Sequence, residues 1–250
     1  MAEGTLQTSS EPDVAGVARA IGHPARAAML AALLGGQWLP AGELARRAGV
    51  TPSTASDHLS LLVRQGIITP RRSGRHRYYA LSGPDVAAAL EGLARIPGAQ
   101  PERSDGLHDP AGSVTSNRAI AAGLRALHFA RTCYDHLAGR LGVLLTDAML
   151  ERDLIAPAGF EPTHRGAEWL GGLDIHVSDL HRERRVLARP CLDWSERRDH
   201  LAGAVGAALA SSLLDRGWVV RMEGTRAVRL TLRGREGLYR TIGLEVAVDT

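Results

Sequence analysis

Two short helical patterns joined by a tight turn constrain this chain more than any other feature. "ELARRAGV" closes on Gly49, and "TPSTASDHLSLLVRQG" then opens on Thr51, a capping residue, with Pro52 in its first turn. Gly66 stops the second helix. At about 100° per residue, Ala55, Leu59, Leu62 and Val63 share one face, while Ser53, Asp57, Ser60 and Arg64 point the other way, flanked by Thr54 and Ser56. Upstream, "VAGVARAIGHPARAAMLAALLGG" predicts a helix that restarts at Pro24 and stops at Gly35 and Gly36. Downstream, "IITPRRSGRHRYYAL" reads as two strands round a glycine turn, and "GPDVAAALEGLARI" as a further helix. The order predicts a winged helix–turn–helix domain over residues 14–96, behind a polar tail, 1–13.

Charge is gathered at the same place. The chain carries a net charge of +3, and all 30 basic residues are arginine. Over residues 1–95, 10 arginines stand against 7 acids; over 96–250, 20 stand against 20. Arg71, Arg72, Arg75 and Arg77 crowd the hairpin, and Arg64 ends the helix before it. Such a basic island beside short polar residues at a helix N-terminus suits double-stranded DNA, the hydroxyls meeting base edges or phosphates and the arginines neutralising the backbone.

Several other classes are excluded. Without lysine there is no Schiff-base or P-loop chemistry, and the chain has no GxGxxG, HExxH, GxSxG or paired CxxC motif, so no cofactor is expected from motifs, a metal ion being the one candidate. No window approaches ~18 uninterrupted apolar residues, so no membrane partner is expected. The opening "MAEGTLQTSSEPD" lacks a secretory layout, and two cysteines make no disulfide framework, which together point to a bacterial cytoplasm.

"ARAIGHPARAAMLAALL", "ELARRAGVTPSTASDHLSLLVRQGII" and "RRSGRHRYYAL" together resemble the ArsR/SmtB family of bacterial winged-helix repressors. The resemblance spans over a third of the chain. It implies a homodimer that binds a palindromic operator and releases it when an effector binds. It places Ser53, Thr54, Ser56 and His58 in the recognition helix, residues 72–77 in the wing, and dimer contacts near residues 14–20 and 85–95. Two departures stand out: Asp57 occupies a position that is often basic or neutral, and "LPAGELARR" lacks the cysteines of the family's common metal site.

Residues 97–117, rich in Pro, Gly and Ser, read as a linker, after which one long helix is expected from Arg118. The rest is duplicated. "DHLAGRLGVLLTDAMLERDLI" from Asp135 matches "DHLAGAVGAALASSLLDRGWV" from Asp199, "RTCYD" matches "RPCLD", and "THRGAEWL" matches "TLRGREGL". Helix, hairpin, helix in the second copy predicts a tandem of two degenerate winged-helix-like units, about 118–175 and 176–250, and a mainly α fold with small β-hairpins (α+β) overall.

Three roles are open to Cys133 and Cys191: small core residues, redox thiols with Arg131 or Arg189 lowering their pKa, or metal ligands. His128 is the histidine considered beside Cys133 as a metal ligand, although a helix would place His128, Cys133 and His136 about 500° and 300° apart, off any common face. His136 and His200 recur before leucine, as His58 does, and read as features of the fold rather than ligands. Trp169, Trp194 and Trp218 suit either core or an organic effector pocket. The leading expectation is a dimeric DNA-binding repressor whose C-terminal half senses a small molecule, metal or oxidant, or serves dimerisation. The alternatives are a non-sensing interaction protein and an enzyme with a Cys133–His136 dyad.

Overall fold

The computed structural model describes residues 12–96, 114–182 and 185–247. Most of the expected tail and linker therefore lie outside the described residues. The chain divides into two compact units: residues 1–31 with 38–82, and residues 32–37 with 83–250. Among the described residues no helix is long and apolar enough to cross a membrane.

The first unit follows the predicted order. Helices α1 (Val14–Ile21) and α2 (Pro24–Leu33) lead to strand β1 (Leu39–Pro40), α3 (Ala41–Arg47) and α4 (Pro52–Arg64), then to the hairpin β2 (Ile68–Ser73) and β3 (His76–Leu81). The strands form an antiparallel sheet in the order β1-β3-β2, with Arg72 opposite Arg77. Thr51 starts α4 by accepting a hydrogen bond from Thr54 N at 3.2 Å. Ala55, Leu59 and Leu62 on α4 are buried with Met29, Leu30, Leu44, Ile68 and Tyr79, so the period of 3.6 read from the sequence is the period that packs.

Helix α5 (Pro84–Ala94) falls in the second unit, followed by α6 (Val114–Phe129). The long helix expected from Arg118 is interrupted. Helix α6 begins within the expected linker, ends at Phe129, and gives way to β4 (Arg131–Cys133) and β5 (His136–Ala138). Tyr134, at φ 61°, turns the chain left-handed between them, a conformation no helix accommodates. Helices α7 (Arg140–Glu151), α8 (His164–Gly171) and the short α9 (Val177–Leu180) complete the first copy. The second copy runs β6 (Arg189–Leu192), β7 (Asp199–Ala202), α10 (Gly203–Asp215), β8 (Val219–Arg221), β9 (Val228–Leu230) and α11 (Leu232–Ile242).

The duplication is therefore structural: hairpin, helix, bridge or hairpin, helix. The second turn is the pair β8–β9; in the first copy a single bridge between Ile155 and Pro162 stands in its place. "DHLAG", expected to open a helix, is a strand that ends where the helix begins. "TxRG" is a helix cap: Thr163 accepts from Gly166 N at 3.0 Å, and Thr231 from Gly234 N at 2.9 Å. Both copies share one core, in which Leu141, Met149, Leu170, Val205, Leu213 and Leu238 are fully buried.

The close approach of the copies is visible at one glycine from each. A Cβ on Gly142 would stand 2.6 Å from Leu137 O and 3.6 Å from His200 Cβ; one on Gly206 would stand 2.5 Å from Leu201 O and 3.3 Å from His136 Cβ. The contacts are reciprocal, as a pseudo-twofold arrangement requires.

Candidate nucleic-acid interface and a buried cysteine–histidine cluster

Ser53, Thr54, Ser56, Asp57 and Arg64 are all exposed along α4, and Arg71, Arg72, Arg75 and Arg77 are exposed on the hairpin. Among the described residues of this unit the ion pairs gather on Glu43, which holds Arg46 and, at 2.8 Å, Arg47. The hairpin arginines have no such carboxylate; Arg71 lies over Trp38, 4.5 Å from the ring centroid. Four exposed cations and a capped helix with a hydroxyl-bearing outer face thus occur within a short length of chain.

His58 differs from the expectation. It is half-buried, with its ring 4.5 Å from that of His23 and its Nδ1 3.3 Å from Arg26 Nη1. Burial, then the neighbouring His23 and Arg26, push its pKa down. Lying three residues after Ala55 and four before Leu62, it sits on the inner side of α4 and is turned away from the exposed face.

In the C-terminal unit the hairpins bring together residues the sequence kept apart. Cys133 pairs with His136 across β4–β5, and Cys191 with His200 across β6–β7. One ligand atom from each of the four lies within 4.8 Å of all the others. Cys133, His136 and His200 are buried and Cys191 is partly so. The imidazole rings are 5.1 Å apart. Each histidine turns Nδ1 towards the aspartate two residues after a cysteine: His136 to Asp135 at 3.1 Å and His200 to Asp193 at 3.3 Å. His128, considered as a partner of Cys133, is not in the group; its ring packs edge-on against Trp194 at 5.1 Å.

Asp193 ties the copies together. It accepts from the buried Arg131 Nη2 at 2.8 Å and from Gly139 N at 2.7 Å, as well as from Ser195 N and Oγ. Burial alone would raise its pKa, but His200, Arg131 and Ser195 outweigh it and hold the carboxyl far below the usual range. Arg131, expected to activate a thiol, is instead consumed by Asp193 and stacks 4.4 Å from the Trp194 centroid. Cys191 is nevertheless held well below the ordinary thiol range, first by the Cys133 thiol and then, against burial, by the nearby imidazoles of His136 and His200. Cys133 is correspondingly pushed up by Cys191 and by burial.

Sequence reasoning dismissed His136 and His200 because they recur. The signal that could have found them was the shared "C-x-D" followed by "HLAG": each copy carries one Cys, one Asp and one His in the same order.

Residues 21–71 match the family model described as a helix-turn-helix domain. The HTH-type transcriptional regulator YdfF of Bacillus subtilis, itself uncharacterized, is 38% identical over 237 residues, which cover 94% of this chain and 99% of that protein. The likeness thus takes in the duplicated half as well. The HTH-type transcriptional regulator CmtR of Mycobacterium tuberculosis is 38% identical over 86 residues, 34% of this chain and 72% of CmtR. Among solved structures, the winged helix-turn-helix DNA-binding domain Mb0332 of Mycobacterium bovis, described as a possible ArsR-family regulator, covers 43% of this chain and all of that one at 28% identity and a TM-score of 0.35. The chain belongs to the helix–turn–helix transcriptional regulators, with a winged N-terminal domain and a duplicated C-terminal half.

Proposed function

We propose that this regulator is a dimeric repressor that places α4 in the major groove of a palindromic operator and lays the β2–β3 wing along the backbone and adjacent minor groove. Ser53, Thr54, Ser56, Asp57 and Arg64 are assigned to the groove side, and Arg71, Arg72, Arg75 and Arg77 to the phosphates. His58 is assigned to holding α4 against the rest of its unit. The observation that carries the reading is the wing: four exposed arginines that pair with no carboxylate among the described residues, next to a helix whose exposed face carries hydroxyls. The dimer and the palindrome rest on the ArsR/SmtB resemblance, and effector sensing is assigned to the C-terminal half.

Salt dependence tests the wing. Each phosphate contact contributes about 0.9 to the slope of log K against log salt, so Arg75→Ala with Arg77→Ala should lower the slope by roughly 2 and weaken operator binding. Fluorescence anisotropy on an operator selected from genomic DNA fragments by the wild-type protein reads both. An unchanged slope would remove the wing assignment. An enzyme built on Cys133 and His136 is disfavoured by burial: both side chains are 4% exposed, closed to any substrate.

A further inference from the structure

We propose that Cys133, His136, Cys191 and His200 form a tetrahedral S2N2 site for one divalent ion of the zinc class, one Cys–His pair coming from each copy of the repeat.

The donor set and its spacing favour this class. Thiolate and imidazole are the ligands that zinc takes in closed four-coordinate sites, with bonds of about 2.3 Å to sulfur and 2.0–2.1 Å to nitrogen. A tetrahedron with such bonds has edges of roughly 3.3–3.8 Å. The four atoms already lie within 4.8 Å of one another, so closing on an ion asks for shifts of about half an ångström from each side. No hard oxygen donor belongs to the group, which argues against calcium or magnesium.

The histidines supply an independent observation. Nε2 of His136 and both ring nitrogens of His200 are buried and lack a hydrogen-bond partner. Three orphaned ring nitrogens in one place are unusual, because buried polar groups are otherwise satisfied. Nδ1 of His136 is hydrogen-bonded to Asp135, the carboxylate–histidine arrangement that fixes which nitrogen is offered to a metal, and Nδ1 of His200 lies 3.3 Å from Asp193. Asp193 is held in turn by Arg131, Ser195 and Gly139 N, so the outer shell is itself anchored.

The fold places the pairs for this purpose. Cys133 faces His136 and Cys191 faces His200 as directly opposed residues of two separate hairpins, and the reciprocal glycines Gly142 and Gly206 let those hairpins meet. Two thiolates neutralise a divalent ion. Four protein donors leave no position open for substrate, so the ion's part is to cross-link the copies rather than to catalyse.

The test uses the intact chain, reduced and stripped of metal, and titrates it with Co2+ while recording the visible and near-ultraviolet spectrum. The expected result is one equivalent bound, with intense tetrahedral ligand-field bands and thiolate-to-cobalt charge transfer, both abolished by an equivalent of Zn2+. Cys191→Ser should lose most of the charge-transfer intensity, while His128→Asn, altering the histidine outside the group, should keep the full spectrum. Because the wild-type titration needs no variant, a misfolded Cys191→Ser protein cannot decide the matter. Weak octahedral bands, or no uptake, would overturn the site. So would a reduced chain that takes up no metal and reoxidises to a Cys133–Cys191 disulfide, or a His128→Asn chain that loses the spectrum.

Discussion

The two units use arginine in opposite ways. In the winged unit, Arg71, Arg72, Arg75 and Arg77 stand exposed, and among its described residues the carboxylate pairs are confined to Glu43 with Arg46 and Arg47. In the C-terminal unit several arginines are matched with acid: Arg131 with Asp193, Arg226 with Glu91, Arg185 with Asp135, Arg198 with Asp147. The sequence count anticipates this, since the surplus of arginine over acid lies wholly in residues 1–95. Where charge is balanced it is built into the structure; where it is in surplus it is available to a polyanion. Stability should therefore be sensitive to charge in one unit and indifferent to it in the other.

The largest effect should come from Asp193→Ala. It strands the fully buried Arg131 guanidinium, and breaking a buried pair from one side costs about 3–5 kcal/mol. Chemical denaturation followed by the fluorescence of Trp194, which stacks on Arg131, reads the loss. The control is Asp179→Ala in the exposed pair with Arg182, expected to change stability by less than ~1 kcal/mol. Equal losses from the two would end the comparison. Arg75→Ala with Arg77→Ala should leave stability within about 0.5 kcal/mol while it weakens DNA binding.

Next comes the reciprocal contact between the copies. Gly206→Ala and Gly142→Ala each force a methyl against a carbonyl of the strand before the helix, and overpacking of this kind costs about 1–3 kcal/mol. Gly171→Ala has nothing within 4 Å of the added carbon and should be neutral or stabilising by up to ~1 kcal/mol. Thermal unfolding of the three variants, measured at one metal occupancy, ranks them. If Gly206→Ala is harmless, α10 is not held against β7 as closely as the geometry requires.

What was legible in the sequence was legible over short distances. The cap at Thr51, Pro52 in the first turn, Gly66 at the end and the 3.6 period between them are local rules, and α4 and the wing obey them. "DHLAG" was visible as a repeat yet read as helix, because a strand of three or four residues has too little alternation to outweigh the Ala and Leu that follow. Its partner strand is what makes it a strand, and pairing is not written in the segment itself. The same step hid the metal ligands. On a helix Cys133 and His136 share a face while His128 points away from it, whereas across a two-residue turn Cys133 and His136 are directly opposed and His128 is left outside. Cys191 and His200, separated by the longer turn of β6–β7, gave no local signal at all. His58 is half-buried for a simpler reason: its place between Ala55 and Leu62, not its chemistry, decides which way it faces.

The smallest effect separates two uses of one device. Thr51, Thr163 and Thr231 all cap helices through Oγ1, accepting from the N–H three residues on. The C-terminal pair do more: Thr163 Oγ1 donates to Asp153 O at 2.5 Å, and Thr231 Oγ1 to Gly217 O at 2.8 Å. Thr51 Oγ1, besides its cap, meets Thr54 Oγ1 at 2.9 Å on an exposed surface. Loss of a cap costs about 0.5–2 kcal/mol. Thr163→Ala and Thr231→Ala should fall at the upper end, since a second carbonyl loses its donor as well, and Thr51→Ala at the lower. The readout for Thr51 is then DNA rather than stability. At the N-terminus of α4 its removal frays the turn that carries Ser53 and Thr54, so operator affinity should fall and Thr51→Ser should restore it. A Thr51→Ala chain that binds as tightly as the parent would show that this turn is not presented to the groove.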